Sequence, residues 1–416
     1  MLIRTANVAA TLFVAAVAAA SPLLERADAK FRDGDLDAAQ KLYAASSPAT
    51  TAAAATGLGN IAFLRGDLDE AVRWLKSANR LAPDDKRAAK LLAQAFYRRN
   101  DFAHAAPLYR AIGLDAMAKK LESFHGPAPY RISGAADVVH LSWLQSDPLP
   151  VIRARVNGKV DVNLLIDTGG AELLLDPTIG ASAGATTFGE NKGTFAGGKQ
   201  SSVQQARVDS VALGGFTIHN VPLQLLDTRR FAAAAGGNLR IDGVLGTVLL
   251  AQFIPTLDYR RGELVLRRRT RAQRHATDRA ASVGTTLPIL FAGDHLILTR
   301  GSAGAARPML FLVDTGLAGG GFLAPDSTLK EAGLVPDGAQ VEGVGGGGKL
   351  TVTPFTVPDV SLGSIHVKNV AAFAGAFPPS LETSETIRIG GLVSHDFFRN
   401  FAVTFDFDRM RMIVER

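Results

Sequence analysis

Leu164-Leu165-Ile166-Asp167-Thr168-Gly169 recurs later in the chain as Phe311-Leu312-Val313-Asp314-Thr315-Gly316, three apolar residues again leading into Asp-Thr-Gly. Each apolar run is short enough for a buried strand, and each ends in the residue types of a tight turn. One Asp-Thr-Gly carries little, since ordinary residue frequencies place one in about one chain in ten of this length. The segments downstream of each copy carry more. After the first come Asp242-Gly243-Val244-Leu245-Gly246, Phe253, Thr256-Leu257-Asp258-Tyr259 and Leu264-Val265-Leu266; after the second come Gly390-Gly391-Leu392-Val393-Ser394, Phe401, Thr404-Phe405-Asp406-Phe407 and Met412-Ile413-Val414. The offsets stay between 147 (314 − 167) and 149 (362 − 213, for Leu213-Gly214 against Leu362-Gly363). Register held over such a distance means that one unit occurs twice.

The texture of the duplicated part is that of short strands broken by turns, beginning after Trp143. Val151–Val156, Asn157-Gly158 and Val160–Ile166 read as a hairpin feeding the first Asp-Thr-Gly. Each unit also carries a glycine-rich segment, Gly193-Thr194-Phe195-Ala196-Gly197-Gly198 and Gly343-Val344-Gly345-Gly346-Gly347-Gly348, suited to a hairpin tip that opens and closes.

From about Leu149 to Arg416 these features resemble the retropepsin-like aspartic peptidases in their fused two-lobe form. The resemblance implies an all-β bilobal acid-protease fold and an endopeptidase without cofactor or metal. Asp167 and Asp314 would be the catalytic pair. Thr168 and Thr315 would interlock across the interface, and Gly169 and Gly316 would allow the loops to approach closely. Leu245-Gly246 and Val393-Ser394 would support the loops from beneath. Gly193, Phe195, Gly197 and Gly198 would form one flap, and Gly345, Gly346 and Gly347 the other. Two neighbouring carboxylates cannot both ionise cheaply, so one would keep a proton while the other acts as base on a shared water; aspartic peptidases are the established example of such a pair. The residues alone leave open which aspartate is charged. Three positions depart from the related pattern: Gly170 and Leu317 stand where a hydroxyl is common, and Ser394, placed where a glycine is usual, is expected to strain its loop.

The front of the chain differs. Gly34-Asp35-Leu36-Asp37-Ala38-Ala39 returns as Gly66-Asp67-Leu68-Asp69-Glu70-Ala71 and, more loosely, as Asn100-Asp101-Phe102-Ala103-His104-Ala105, at offsets of 32 (66 − 34) and 34 (100 − 66). With Leu58, Gly59, Ala62, Ala71, Leu75, Ala78 and Pro83, the segment resembles tetratricopeptide repeats, helical hairpins whose groove would take a peptide or a protein partner.

Composition excludes several functions. No cysteine is present among 416 residues, which removes disulfides, thiol nucleophiles and cysteine metal sites. His-Glu-x-x-His does not occur. Net charge is +6, and the basic run Arg260–Arg274 lacks the interleaved aromatics of a nucleic-acid surface, so it reads as a solvated linker between units. His219 and His366 occupy equivalent places through duplication, and His395 reads as a packed or surface histidine. Arg4, the apolar stretch from Val8 to Ala20 and the small residues before Ser21-Pro22 describe an export signal, which predicts a periplasmic or secreted protein.

The resulting division is residues 1–20 signal peptide, 21–125 helical domain, 126–145 linker, 146–270 first lobe, 271–284 linker and 285–416 second lobe. The function predicted is an aspartic endopeptidase acting on a peptide or protein substrate. Its alternative is a catalytically silent peptide-binding or scaffold protein using the same cleft and helical groove.

Overall fold

The computed structural model describes residues 21–126, 128–195, 200–228, 239–345, 348–375, 377 and 379–416. The proposed signal, residues 1–20, lies outside them. The chain is helical first and β-rich afterwards, with the strands arranged as two barrel-like lobes. Helices α1 (Pro22–Arg32), α2 (Leu36–Ala45), α3 (Ala52–Leu64), α4 (Leu68–Leu81), α5 (Lys86–Arg98), α6 (Phe102–Ala111) and α7 (Asp115–Glu122) stack as successive hairpins. Among the described residues no helix is long and apolar enough to cross a membrane.

The repeated dipeptide makes the hairpin turn. Gly34, Gly66 and Asn100 adopt left-handed φ of 75°, 76° and 59°, which ends one helix. Asp35, Asp67 and Asp101 then cap the next by accepting from the amides of Ala38, Glu70 and His104. These turns also meet the lobes in a row. Arg300 donates to the Gly34 carbonyl at 2.7 Å, Gly66 rests on Met410, and Asn100 donates to Gln252 at 3.2 Å. Between the last two turns, Arg98 lies between the rings of Phe63 and Phe291 and donates to both residues' carbonyls at 3.0 and 2.8 Å. Leu24, Phe31, Leu58 and Ile61 share one buried cluster with Leu298, Leu310, Ile387 and Ile389 of the second lobe. A broad apolar face of the helical layer is thus covered in cis.

The first lobe runs β1 (Arg131–Ser133), β2 (Val138–Ser142), β3 (Val151–Val156), β4 (Val160–Ile166), β5 (Leu173–Leu175), α8 (Pro177–Ala183), β6 (Thr186–Thr194), β7 (Gln200–Leu213), β8 (Phe216–Leu225), β9 (Gly243–Leu245), α9 (Thr247–Leu250), β10 (Ile254–Asp258) and β11 (Glu263–Arg267). Helix α10 (Arg271–Val283) leads to the second. That lobe runs β12 (Thr285–Ala292), β13 (Leu296–Ala303), β14 (Met309–Val313), β15 (Phe322–Ala324), α11 (Asp326–Ala332), β16 (Val341–Gly345), β17 (Gly348–Leu362), β18 (Ile365–Ala374), α12 (Pro379–Glu385), β19 (Gly391–Val393), α13 (His395–Phe398), β20 (Ala402–Asp406) and β21 (Arg411–Glu415). The first lobe closes as β7-β8-β5-β9-β4-β3 back to β7, and the second as β17-β18-β15-β19-β14-β13 back to β17. Closure pairs every strand of the ring and leaves no edge within it.

A six-stranded sheet, β12-β21-β20-β10-β11-β2, joins the lobes. Its centre is the antiparallel β10–β20 pair, where Thr256 faces Thr404 and their hydroxyls meet at 2.6 Å. These two threonines mark the pseudo-twofold axis. Asp258 and Asp406 accept from backbone amides in the turns beyond.

The expected linkers carry structure. Within 126–145, β1 pairs with β8 and β2 with β11. Residues 271–284 contain α10, capped by Thr270 and tied to the second lobe by Asp278 on Arg411 at 2.5 Å. Arg260, Arg261 and Arg271 of the basic run are exposed as expected, but Arg267, Arg268 and Arg269 are half-buried, and the reason is their donors. Arg267 donates to Thr256 at 2.6 Å. Arg268 donates to the carbonyls of Ala136, Ile132 and Gly134 at 3.0, 3.2 and 2.8 Å. Arg269 bonds the Ala251 carbonyl and Asp408. A guanidinium fork can serve several carbonyls at once, so these arginines staple strands together.

Candidate active site

Each Asp-Thr-Gly leaves a barrel strand at the interface between lobes. Leu164, Leu165 and Ile166 of β4 run parallel to Gly243, Val244 and Leu245 of β9; Phe311, Leu312 and Val313 of β14 run parallel to Gly391, Leu392 and Val393 of β19. The Asp167 amide donates to the Leu245 carbonyl at 3.2 Å and the Asp314 amide to the Val393 carbonyl at 3.0 Å. Both loops therefore leave their sheets in the same way.

The threonines lock the loops to each other. Thr168 Oγ1 donates to the Val313 carbonyl at 2.8 Å and accepts the Thr315 amide at 3.1 Å. Thr315 Oγ1 donates to the Ile166 carbonyl at 3.1 Å and accepts the Thr168 amide at 3.0 Å. Both side chains are buried, so losing either leaves buried backbone groups unpaired. The glycines permit the approach: a Cβ on Gly169 would lie 2.3 Å from the Asp314 carboxyl carbon, and one on Gly316 would lie 2.5 Å from that of Asp167. The two carboxyl groups, each partly exposed, come within hydrogen-bond reach of one another.

The halves differ in how their carboxylates are served. Asp167 Oδ1 accepts the amides of Gly169 at 2.8 Å and Gly170 at 3.2 Å. Asp314 Oδ1 accepts the Gly316 amide at 2.8 Å, but the next amide, that of Leu317, donates to Ser394 Oγ at 3.2 Å. Ser394 returns a bond to the Leu317 carbonyl at 3.1 Å. Its backbone is extended, with φ −125°, and its amide bonds the Gly321 carbonyl, so the expected strain is not found. The physical reason is room. In the first lobe a Cβ on Gly246 would lie 2.3 Å from the Ala171 carbonyl oxygen, whereas in the second lobe the Ser394 side chain finds its place on the amide and carbonyl of Leu317. Burial, and after it the neighbouring Asp167, hold the Asp314 carboxyl well above the usual carboxylate range.

The flap segments are the β6–β7 and β16–β17 hairpins. Gly193 lies on β6, and the Phe195 ring packs on the cluster of Leu149, Val151, Leu165 and Val244. Gly345 ends β16, while Gly197, Gly198, Gly346 and Gly347 lie outside the described residues. Thr247, which sequence reasoning missed, donates from Oγ1 to the Thr168 carbonyl at 2.8 Å and from its amide to the Gly170 carbonyl at 2.9 Å. Its place directly after Gly246 was the available signal.

The histidines lie elsewhere. His219 bonds Ser133 at 2.8 Å, and His366 pairs with Asp359 at 2.9 Å, an acidic partner that sequence spacing did not reveal. His395 is buried beside Asp396 at 2.9 Å. Ligand atoms of Asp147, His395 and Asp396 lie within 4.8 Å of one another, the spacing of a metal site. Arg399 bonds Asp147 at 2.5 Å and Asp396 at 2.6 Å, so a protein cation already balances these carboxylates.

Residues 152–249 and 301–397 each match the sequence model of a family described as Aspartyl protease. The two matches start within the equivalent strands β3 and β13 and run through both Asp-Thr-Gly loops to the helices beyond β9 and β19. No curated protein matches the chain.

Proposed function

We propose that the chain is a bilobal aspartic endopeptidase of this family, with Asp167 as base and Asp314 as acid. The observation that supports it is the pair of carboxyl groups on symmetry-related loops, brought together by reciprocal threonine bonds and by two glycines at which any Cβ would press on the opposite carboxyl group. A protease domain implies a peptide substrate.

The assignment of roles rests on donor supply. Amide donors stabilise a charged carboxylate, so Asp167, with two, is the ionised partner, and Asp314, which has lost one to Ser394, keeps the proton. A water between them gives a proton to Asp167 as its oxygen bonds the scissile carbonyl carbon, and Asp314 gives its proton to the carbonyl oxygen. In the collapse of that diol the C–N bond breaks as one hydroxyl returns its proton to Asp314, and the proton on Asp167 passes to the leaving nitrogen. Neither aspartate becomes acylated. The N-terminal sequence supports export, and the turn row at Gly34, Gly66 and Asn100 supports a helical layer that serves the protease itself.

The test is incubation of the protein with a mixed peptide library from acid to neutral pH beside Asp167→Asn and Asp314→Asn. Loss of cleavage in both variants is expected. Cleavage persisting unchanged in both would sink the reading.

A further inference from the structure

Helix α7 reaches past the helical layer to the first flap and to the Asp167 loop at once. Lys120, on its last turn, is fully buried and donates to Glu172 Oε2 at 2.5 Å and to Gln205 Oε1 at 2.6 Å. Glu172 also accepts the Tyr97 hydroxyl of α5. Each partner sits where the chemistry is staged. Glu172 comes directly after Asp167-Thr168-Gly169-Gly170-Ala171, and the Gly170 and Ala171 carbonyls accept the amides of Thr247 and Val248 at 2.9 Å. Gln205 lies on β7, five residues beyond the start of the strand that descends from the flap tip. Further contacts hold the same hairpin: the Met117 amide donates to Asn191 of β6 at 3.1 Å, and Arg207 of β7 donates to the Ser123 carbonyl at 2.8 Å.

Stability alone does not account for a charge pair here. Desolvating a lysine and a glutamate costs about what their attraction returns, and apolar residues of like volume would fill the space as well. The arrangement is also confined to one lobe. At the 149-residue offset the second lobe carries Gly321 and Pro354 in place of Glu172 and Gln205. The ion pair stands where α7 of the front layer meets the first flap hairpin.

We propose that Lys120 is a positioning residue that fixes the first flap relative to the Asp167 loop, making α7 part of the catalytic apparatus. The proposal rests on the assignment of Asp167 and Asp314 as the dyad. Its consequence is that the helical layer sets flap height over Asp167 through one buried ammonium.

The experiment uses the full chain with Lys120→Met and with Lys120→Met/Glu172→Gln, which removes both charges while leaving Tyr97 an acceptor. Because the chain has no cysteine, Gln200→Cys gives a single labelling site beside the flap tip. The single variant is expected to lose thermal stability, and the double variant to regain most of it. In the double variant kcat should stay about 10- to 100-fold below wild type, the cost of a displacement of about 1 Å, with KM changed less than about threefold. The label at position 200 should become more mobile. A double variant with both wild-type kcat and wild-type label mobility would overturn the proposal and leave the dyad assignment intact. Should the wild type cleave no peptide, the dyad assignment falls, and unchanged label mobility in the double variant would by itself refute a role for Lys120 in holding the flap.

Discussion

Placing a methyl group on Gly316 tests the site without touching a titrating group. The new Cβ would sit 2.5 Å from the Asp167 carboxyl carbon and 2.6 Å from each oxygen, where ordinary contact begins at 3.4 Å. The carboxylate would have to retreat by about 0.9 Å (3.4 − 2.5). Retreat breaks its bonds to the amides of Gly169 and Gly170, which hold it in the plane of the loop. Misplacement of a reacting group by about 1 Å costs on the order of 100-fold in rate, or about 2.7 kcal/mol of barrier. Gly316→Ala should therefore lower kcat about 100-fold on any peptide that the wild type cleaves, with KM changed far less. Gly169→Ala, whose Cβ would lie 2.3 Å from the Asp314 carboxyl carbon, should do the same. Gly170→Ala is the control: its Cβ would be no closer than 3.3 Å to the Asp167 carbonyl oxygen and Val244, so kcat should stay within about threefold. A folded Gly316→Ala with wild-type kcat would show that the carboxylates are not packed against these glycines, and would refute close approach as the reason for both.

Thr315→Val removes the donor to the Ile166 carbonyl and the acceptor of the Thr168 amide; it should cost about 1–3 kcal/mol in thermal or denaturant unfolding, and Thr315→Ser should restore most of that. Asp314 is raised in the native state, so the folded chain keeps a proton that the unfolded chain releases near its ordinary value of 3.8. Stability should then fall as pH rises from about there toward the raised value, and Asp314→Asn should raise Tm at pH 7 but not at pH 3. The same proton drives the reaction, so kcat/KM should fall on the alkaline side; a profile without an alkaline limb would contradict this. Gly66→Ala puts a side chain at φ 76° and a methyl 2.6 Å from Met410 Sδ, and a Tm drop worth at least about 1 kcal/mol with kcat unchanged would be the sign of a strained docking turn.

What the sequence made legible was whatever depends on neighbours in the chain. Asp167, Thr168 and Gly169 announce a turn after a strand, and duplication supplies their partners without any need to know the fold. The Gly34-Asp35 and Gly66-Asp67 pairs likewise declare a helix end and a helix start. What stayed hidden depends on distant partners. Nothing near Lys120 or Arg98 shows that either would lie against the lobes, since lysine and arginine are ordinarily solvated. Residues 126–145 read as linker because β1 and β2 are short and find their mates at β8 and β11, far along the chain. Ser394 read as a source of strain because the partner that takes its hydroxyl, Leu317, lies 77 residues earlier and not on its own flanks.

The row of docking turns also sets an order of assembly. Arg300 bonds the Gly34 carbonyl across 266 residues, and Arg87 bonds Thr386 across 299. The helices leave the ribosome first, yet Leu24, Phe31 and Ile61 cannot be covered until β14 and the segment around Ile387 have been made. For most of synthesis the earliest part of the chain therefore presents an open apolar face, and the last lobe to emerge is the one that closes it. Contacts so far apart in sequence are slow to form and leave an intermediate prone to association. A nascent chain stopped short of the second lobe should for that reason bind a hydrophobic dye or a holding chaperone strongly, and should release it once the remaining strands are added.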